Sequence, residues 1–396
     1  MASSVARTWT RPTPTLSHPL VYLSFSHDAS CVIAADASTV HWLSCDTFAL
    51  RGLYQERHAS RAVVAACGDM LNEKASTCAV VTTTRAAARL AGGSETTTFA
   101  VRRWRPGYLN YHWRYDEWAT DIEAGEVRAV SVHGDKTILV LDGRVDVYGL
   151  GGDSCVHVLH RVETRSARPL CAASRAAPVA FACAGAEVGE VLVERWAAAA
   201  GGFAPLSSFR AHSSRLECVA VSRDGRFVAT ASFKGTIVRA FHAADGMLLR
   251  ELRRGADRAD IYSMAFSPES KWLAVSSDKG TIHVFSVNVD VPSPSPAQED
   301  SHSPDTDSPN AGSALNAKQG SSWSFFSGFV PGYFRQDGSL AKLRLREGVK
   351  YVVAFSHVPN TILVVGMDGS FYRCEFDPVK GGDMKQLEYR NFLKMK

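Results

Sequence analysis

Apolar and polar residues alternate in short runs along most of the chain, and the runs repeat. From Cys218, CVAVSRDGRFVATASFKGTIVRAFHAADG reads as an alternating strand, a polar turn, a strand of small and β-branched residues, a glycine turn and a third strand. SMAFSPESKWLAVSSDKGTIHVFSV from Ser263 repeats that order, and the equivalent Val221 and Phe266 lie 45 residues apart. That spacing falls within the roughly 40–45-residue period of four-stranded propeller blades. Looser copies start at Tyr22, Val127 and Val352, and two degenerate ones fall near 62–104 and 169–196. The pattern predicts an all-β fold, a seven-bladed WD40-type β-propeller whose closure leaves no long open sheet edge. A β-sandwich with a second domain is the alternative, and it predicts no such echo.

The pattern breaks after residue 287. VPSPSPAQEDSHSPDTDSPNAGSALNAKQG is rich in Pro, Ser and acids and too poor in large apolar groups to offset its ordering entropy, so a disordered loop is expected over 288–340. Ser293, Ser295, Ser303 and Ser308 each precede proline there, a pattern open to proline-directed phosphorylation. The loop also carries WSFFSGFVPGYF, with Trp323, Phe325, Phe326, Phe329, Val330, Tyr333 and Phe334 close together. This cluster is too short to span a bilayer and is suited either to folding back on the propeller or to wedging among lipid headgroups. SLAKLRLREG then reads as a strand with a basic face of Lys342, Arg344 and Arg346. The expected division is an extension over 1–19, blades one to the first part of six over 20–287, the inserted loop, and the rest of blade six, blade seven and a tail over 341–396.

Composition narrows the function classes. The net charge of +4, from 44 basic and 40 acidic side chains, excludes a global polycation of the kind that coats nucleic acid, so an anionic partner must be met locally. Nine dispersed cysteines with no C-x-x-C pair fit a reducing compartment. No apolar run reaches the roughly 20 residues that cross a bilayer, which predicts a soluble or peripheral protein. Nucleophile-elbow, phosphate-loop and H-E-x-x-H motifs are missing, so no enzyme is expected. His157 and His160 on one strand would face apart, which disfavours a metal, and no cofactor is expected. GLGG at 149–152 reads as a turn.

The local chemistry gathers at ELRRGADRADIY, residues 251–262. Consecutive side chains on an extended segment project to opposite faces, so Arg253 would turn to the blade before it and Arg254 to the blade after it. Around the first, His212, Ser232, Lys234, Thr236 and Arg239 are available; around the second, Ser277, Lys279, Thr281 and His283. Both sets share a Ser-x-Lys-Gly-Thr core, and hydroxyls with backbone amides around a cation suit a phosphate monoester. Two copies imply two sites. The plainer reading is a surface ion-pair cluster in which Asp257 and Asp260 neutralise the arginines. His212 and His283, if they titrate near neutrality, would weaken anion binding between pH 6 and pH 8.

LRRGADRADIYSMAFSPESKWLAVSSDKGTIHVFS resembles the signature of the PROPPINs, the phosphoinositide-binding autophagy propellers that include the WIPI proteins, and WSFFSGFVPGYF is similar to their membrane-inserting loop. Leu252 stands where the family more often has phenylalanine. The resemblance implies one site of His212, Thr230, Ser232, Gly235, Thr236, Arg239 and Arg253, and a second of Arg254, Gly255, Ser277, Thr281 and His283. It also implies binding of phosphatidylinositol 3-phosphate or the 3,5-bisphosphate, and partners such as the autophagy lipid-transfer rod protein. The cytoplasm and preautophagosomal, endosomal or vacuolar and lysosomal membranes would be its locations. A propeller scaffold that binds only proteins, its arginine pair reading an acidic or phosphorylated peptide, is the competing function.

Overall fold

Strands with both faces covered have to be apolar or small at nearly every position, and the second strand of most repeats is. Cys31–Ala35, Lys136–Leu141, Ala180–Ala184, Phe227–Ser232 and Thr361–Gly366 are buried throughout. A computed structural model describes residues 16–17, 19–56, 61–69, 76–84, 97–105, 114–122, 127–133, 136–150, 156–164, 170–287 and 337–394. The aromatic segment 323–334 and the four Ser-Pro sites lie outside them.

The described strands form seven sheets in chain order, each an antiparallel meander. Sheet one spans Tyr22–Gln55, sheet two Arg61–Ile122, sheet three Val127–Glu163 and sheet four Cys171–Arg210. Sheet five holds Leu216–Val221, Phe227–Ser232, Ile237–His242 and Leu248–Arg253, and Asp337–Gly338 adds in parallel to its last strand. Sheet six holds Ile261–Phe266, Trp272–Ser277, Thr281–Ser286 and Ala341–Arg344, with Gly382–Asp383 at its edge. Sheet seven spans Tyr351–Asn391.

Each pair of consecutive sheets encloses its own apolar cluster. Trp42 and Val80 meet between sheets one and two, Val81 and Leu139 between two and three, Ile138 and Phe181 between three and four. Val193 and Val228 follow between four and five, Leu252 and Leu273 between five and six, Ile282 and Val364 between six and seven. The last cluster sets Val365 and Phe371 of sheet seven against Val32 and Leu43 of sheet one, which closes the ring. The fold is an all-β propeller.

Several details refine the sequence reading. Leu16 already packs against the last cluster, and Ser17 donates to Asp36 from both its amide, at 2.9 Å, and its hydroxyl, at 3.0 Å. Leu16 and Ser17, within the expected extension, thus contact the first sheet. Gly149 and Leu150, expected to open a turn, instead end the strand Arg144–Leu150. The basic strand is shorter than its sequence pattern: Ala341–Arg344 buries Ala341 and Leu343 and exposes Lys342 and Arg344, while Arg346 lies beyond it.

Leu252, in the place where the resembled family more often has phenylalanine, is fully buried between sheets five and six. Leu252→Ala is expected to lower the unfolding free energy by about 2–5 kcal/mol through lost burial and a residual cavity. Urea denaturation measures this, and a loss well under about 1 kcal/mol would contradict the packing described.

Candidate anion-binding site

The two Ser-x-Lys-Gly turns, at 232–235 and 277–280, have one geometry. Gly235 donates its amide to the Ser232 carbonyl at 2.8 Å, and Gly280 donates to that of Ser277 at 3.1 Å. Both glycines are left-handed, with φ of 60° and 65°. The backbone that follows each blade presses on them: a Cβ on Gly235 would lie 1.9 Å from the Ala259 carbonyl oxygen, and one on Gly280 2.6 Å from that of Leu345. Only glycine fits such a place. The turns are thereby pinned to the segments 254–259 and 345–348.

Strand register decides which way the arginines point. Leu252 belongs to the cluster shared with sheet six. Arg253 pairs with Ile237, two residues before Arg239, which in turn pairs with Thr230. Arg253, Arg239, Thr230 and Ser232 therefore share the face of sheet five that carries Val228 and Phe241 and looks toward sheet four. Arg254, just past the strand, lies on the other side. Its Nε donates to the Gly235 carbonyl at 2.9 Å, and its guanidinium also donates to the Asp257 carbonyl. Its charge is felt at His283 in sheet six.

The first group forms around His212, whose Nε2 lies 2.9 Å from Thr230 Oγ1; both residues are buried. Arg239 is already engaged. Its Nε donates to Glu251 at 2.7 Å and its Nη1 to the Ala211 carbonyl at 2.6 Å. It ties the segment carrying His212 to sheet five; Arg253, on the same face, is exposed. Thr236 contributes its carbonyl, which accepts the amides of Arg254 at 2.9 Å and Gly255 at 3.4 Å.

The second group is better supplied with unsatisfied donors. Ser277, Thr281 and His283 fall on one face of sheet six by register, with Lys342 opposite His283 and Arg344 opposite Thr281. Ser277 Oγ and His283 Nδ1 are buried with no hydrogen-bond partner. Two orphaned buried polar atoms beside Arg254 and Lys342 suit an anion that accepts from both. Burial pulls the Arg254 guanidinium below its ordinary value, and Asp278 and Asp257 pull it back; it remains a cation.

Asp260 binds Arg258 at 2.8 Å, and Asp257 offers Arg254 its carbonyl. Arg258 and Arg215 both stack on the Phe233 ring, at 4.0 and 4.2 Å from its centroid. Two participants escaped the sequence reading. Glu251 follows from register with Arg239, whereas Lys342 is brought beside His283 by pairing across the long insertion, which no local pattern reveals.

The histidines correct an expectation. Burial, reinforced by Arg239, lowers His212 to about 4 against the opposing Thr230 backbone hydrogen bond. Burial, then Arg254 and Lys342, lowers His283 to about 4. Both imidazoles are neutral from pH 6 to pH 8 and cannot supply a pH trend there.

Among the described residues no group of three or more His, Cys, Asp or Glu could hold a metal ion, and no helix is long and apolar enough to cross a membrane.

Comparison with known proteins places these residues in context. A family model described as PROPPIN matches residues 170–393. The chain is similar to Autophagy-related protein 18e of Arabidopsis thaliana, 35% identical over 274 residues, covering 68% of this chain and 64% of that protein. It is also similar to Autophagy-related protein 18 of Dictyostelium discoideum, 31% identical over 180 residues, 44% of this chain and 47% of that one. The matches thus span less than two thirds of these relatives' lengths. Among solved structures, Kluyveromyces lactis Hsv2 with its complete loop 6CD aligns at TM-score 0.63 and 17% identity, over 95% of this chain and 100% of that one. KlAtg21, solved in complex with the coiled-coil of AgAtg16, aligns at TM-score 0.66 and 19% identity, over 94% and 99%. At these identities the structural likeness speaks for the fold.

An imidazole held at about 4 when folded and near 6.5 when unfolded makes the unfolded chain bind more protons between those values, so stability falls as pH drops through that window. NMR titration should find both histidines neutral at pH 6 in the free protein. A midpoint near 6.5 for either would contradict the burial described.

Proposed function

Because the chain belongs to the PROPPIN family, we propose that it is a peripheral membrane protein that reads phosphatidylinositol 3-phosphate, the 3,5-bisphosphate or both through two pockets flanking Leu252–Gly255. Its role is that of an effector and scaffold in autophagosome formation. The observation that carries this reading is the divergence of Arg253 and Arg254 to opposite faces of sheet five. The first pocket comprises His212, Thr230, Ser232, Gly235, Thr236 and Arg253, with Arg239 holding its wall. The second comprises Arg254, Gly255, Ser277, Thr281 and His283, joined by Lys342.

A phosphate monoester accepts several hydrogen bonds at once. In the second pocket it meets Ser277 Oγ and His283 Nδ1, both without partners, beside two cations. Either pocket alone is small. On one rigid ring, however, occupation of the first raises the local concentration of lipid at the second. Trp323, Phe325, Phe326, Phe329, Val330, Tyr333 and Phe334 then act as a third, inserted anchor, each aromatic contributing at most roughly 1.5–3 kcal/mol. The ring is read as seven blades, with this loop leaving and re-entering the sixth. Cytoplasmic protein is recruited by these contacts to preautophagosomal, endosomal or vacuolar and lysosomal membranes, where autophagy factors, including a lipid-transfer rod protein, join it. A related propeller solved with the coiled-coil of AgAtg16 makes protein partners of this kind reasonable.

Flotation with vesicles containing 3-phosphoinositides tests the proposal. Wild type should float only when those lipids are present, and Arg253→Thr/Arg254→Thr should lose roughly tenfold or more of the bound fraction, since each site loses its charge-assisted contact. A folded double variant that floats like wild type would overturn it. Wild type that does not float, together with loss of protein partners by the double variant, would favour the protein-only scaffold.

A further inference from the structure

The turns joining the first and second strands form a second basic feature that the lipid sites do not use. Ser26, Ser174, Ser222, Ser267 and Ser356 end or follow the first strands of sheets one, four, five, six and seven. The first four use their hydroxyls as hinges, accepting the amides of Cys31, Ala180, Phe227 and Trp272 at 2.9, 2.9, 2.9 and 3.1 Å. The residue after each of the five serines is His27, Arg175, Arg223, Pro268 and His357 in turn.

Asp28 and Asp224 are engaged within their own turns. Asp28 Oδ1 accepts the Ser26 and Ser30 hydroxyls at 2.7 and 2.8 Å. Asp224 accepts the Ser222 hydroxyl at 2.7 Å and pairs with Arg226 at 2.5 Å. The amides of Arg175 and Ala176 donate to the Arg223 carbonyl at 3.0 and 2.8 Å, which fixes these two arginine-bearing turns side by side.

Between the strand ends lies a cavity of about 340 Å3. Residues from five sheets line it, including Phe25, Met264, Phe266 and Phe355, with His27, Arg175 and Arg223 as its charged or titratable members; no Asp or Glu lines it. A compact polyphosphate would find few donors against such apolar walls. An extended segment carrying an apolar side chain flanked by carboxylates matches both features.

Topology separates this mouth from the lipid sites. In an antiparallel meander the first-to-second turns lie at one end of the sheet, and the second-to-third turns and the end of the fourth strand at the other. The Ser-x-Lys-Gly turns and Arg253 therefore occupy the end opposite to Arg223. We propose that the cavity ringed by His27, Arg175 and Arg223 is a docking site for an acidic, apolar-anchored peptide segment of a protein partner, open while the opposite end holds lipid.

Selection of a random heptapeptide phage library on the full-length chain tests this. Sequences combining Asp or Glu with a large apolar residue should be enriched. A synthetic peptide of the selected sequence should bind roughly tenfold more weakly to Arg175→Glu/Arg223→Glu, and no more weakly to Arg253→Thr/Arg254→Thr. Circular dichroism melting checks that each variant remains folded, and Arg223→Glu alone, at an exposed position, should already weaken binding. Absence of an acidic enrichment, or peptide binding indifferent to the charge reversal, would overturn the proposal. So would a charge reversal that lowers vesicle flotation while leaving the peptide bound, because the mouth would then be a membrane surface.

Discussion

Every sheet in this protein buries both faces against its neighbours, and that requirement governs the rest of the structure. The cluster around Leu252 and Leu273 is one of a cyclic series that ends where Val365 and Phe371 meet Val32 and Leu43. With the sheet faces committed to packing, chemistry is confined to turns, strand ends and the outer rim. Residues that recur at equivalent turns of successive sheets then become repeated sites, because the ring presents each turn in the same orientation. This is why two Ser-x-Lys-Gly turns, rather than one elaborate pocket, define the candidate anion sites.

The alternation of a single strand converts this repetition into two separate sites. Leu252 fills the interface with sheet six, which leaves Arg253 on the opposite face, and the chain leaves the strand at Arg254. The buried leucine is therefore the pivot of the arginine pair: moving it would rotate both guanidinium groups. Glu251 serves the same end differently. By taking Arg239, which also donates to the Ala211 carbonyl, it holds the wall of the first group. The second pocket has no equivalent carboxylate clamp on Lys342 among the described contacts, and it retains two orphaned polar atoms. The pockets are related by repeat but unequal in chemistry.

Much of this was legible because local and global signals agree. The 45-residue echo, the glycine turns and the basic-apolar alternation of Ala341–Arg344 all reflect strands packed between strands. Alanine-rich sequence made the fourth repeat degenerate, yet Ala180–Ala184 is a strand buried throughout, with Ala182 and Ala184 packed in the cluster shared with sheet five. Tertiary facts were not legible. The neutrality of His212 and His283 comes from burial beside fixed cations, and the place of Lys342 depends on pairing across the insertion. The same composition on an open surface would have supported the titration expected from sequence.

Placing anion-binding groups at opposite ends of a ring has a physical consequence beyond the number of sites. Under the proposed function, a membrane held at the end carrying Arg253 interacts mainly with the charges of that end, since screening at physiological salt acts over about 8 Å. The cations at Arg175 and Arg223 are insulated from that surface by the body of the propeller. Asp28 and Asp224 are engaged by the serine hydroxyls of their own turns, and Asp224 also by Arg226. A rigid ring in this arrangement has no need of a conformational change to serve two partners: occupation of one end leaves the geometry of the other intact, and bringing them together requires only that both ends bind.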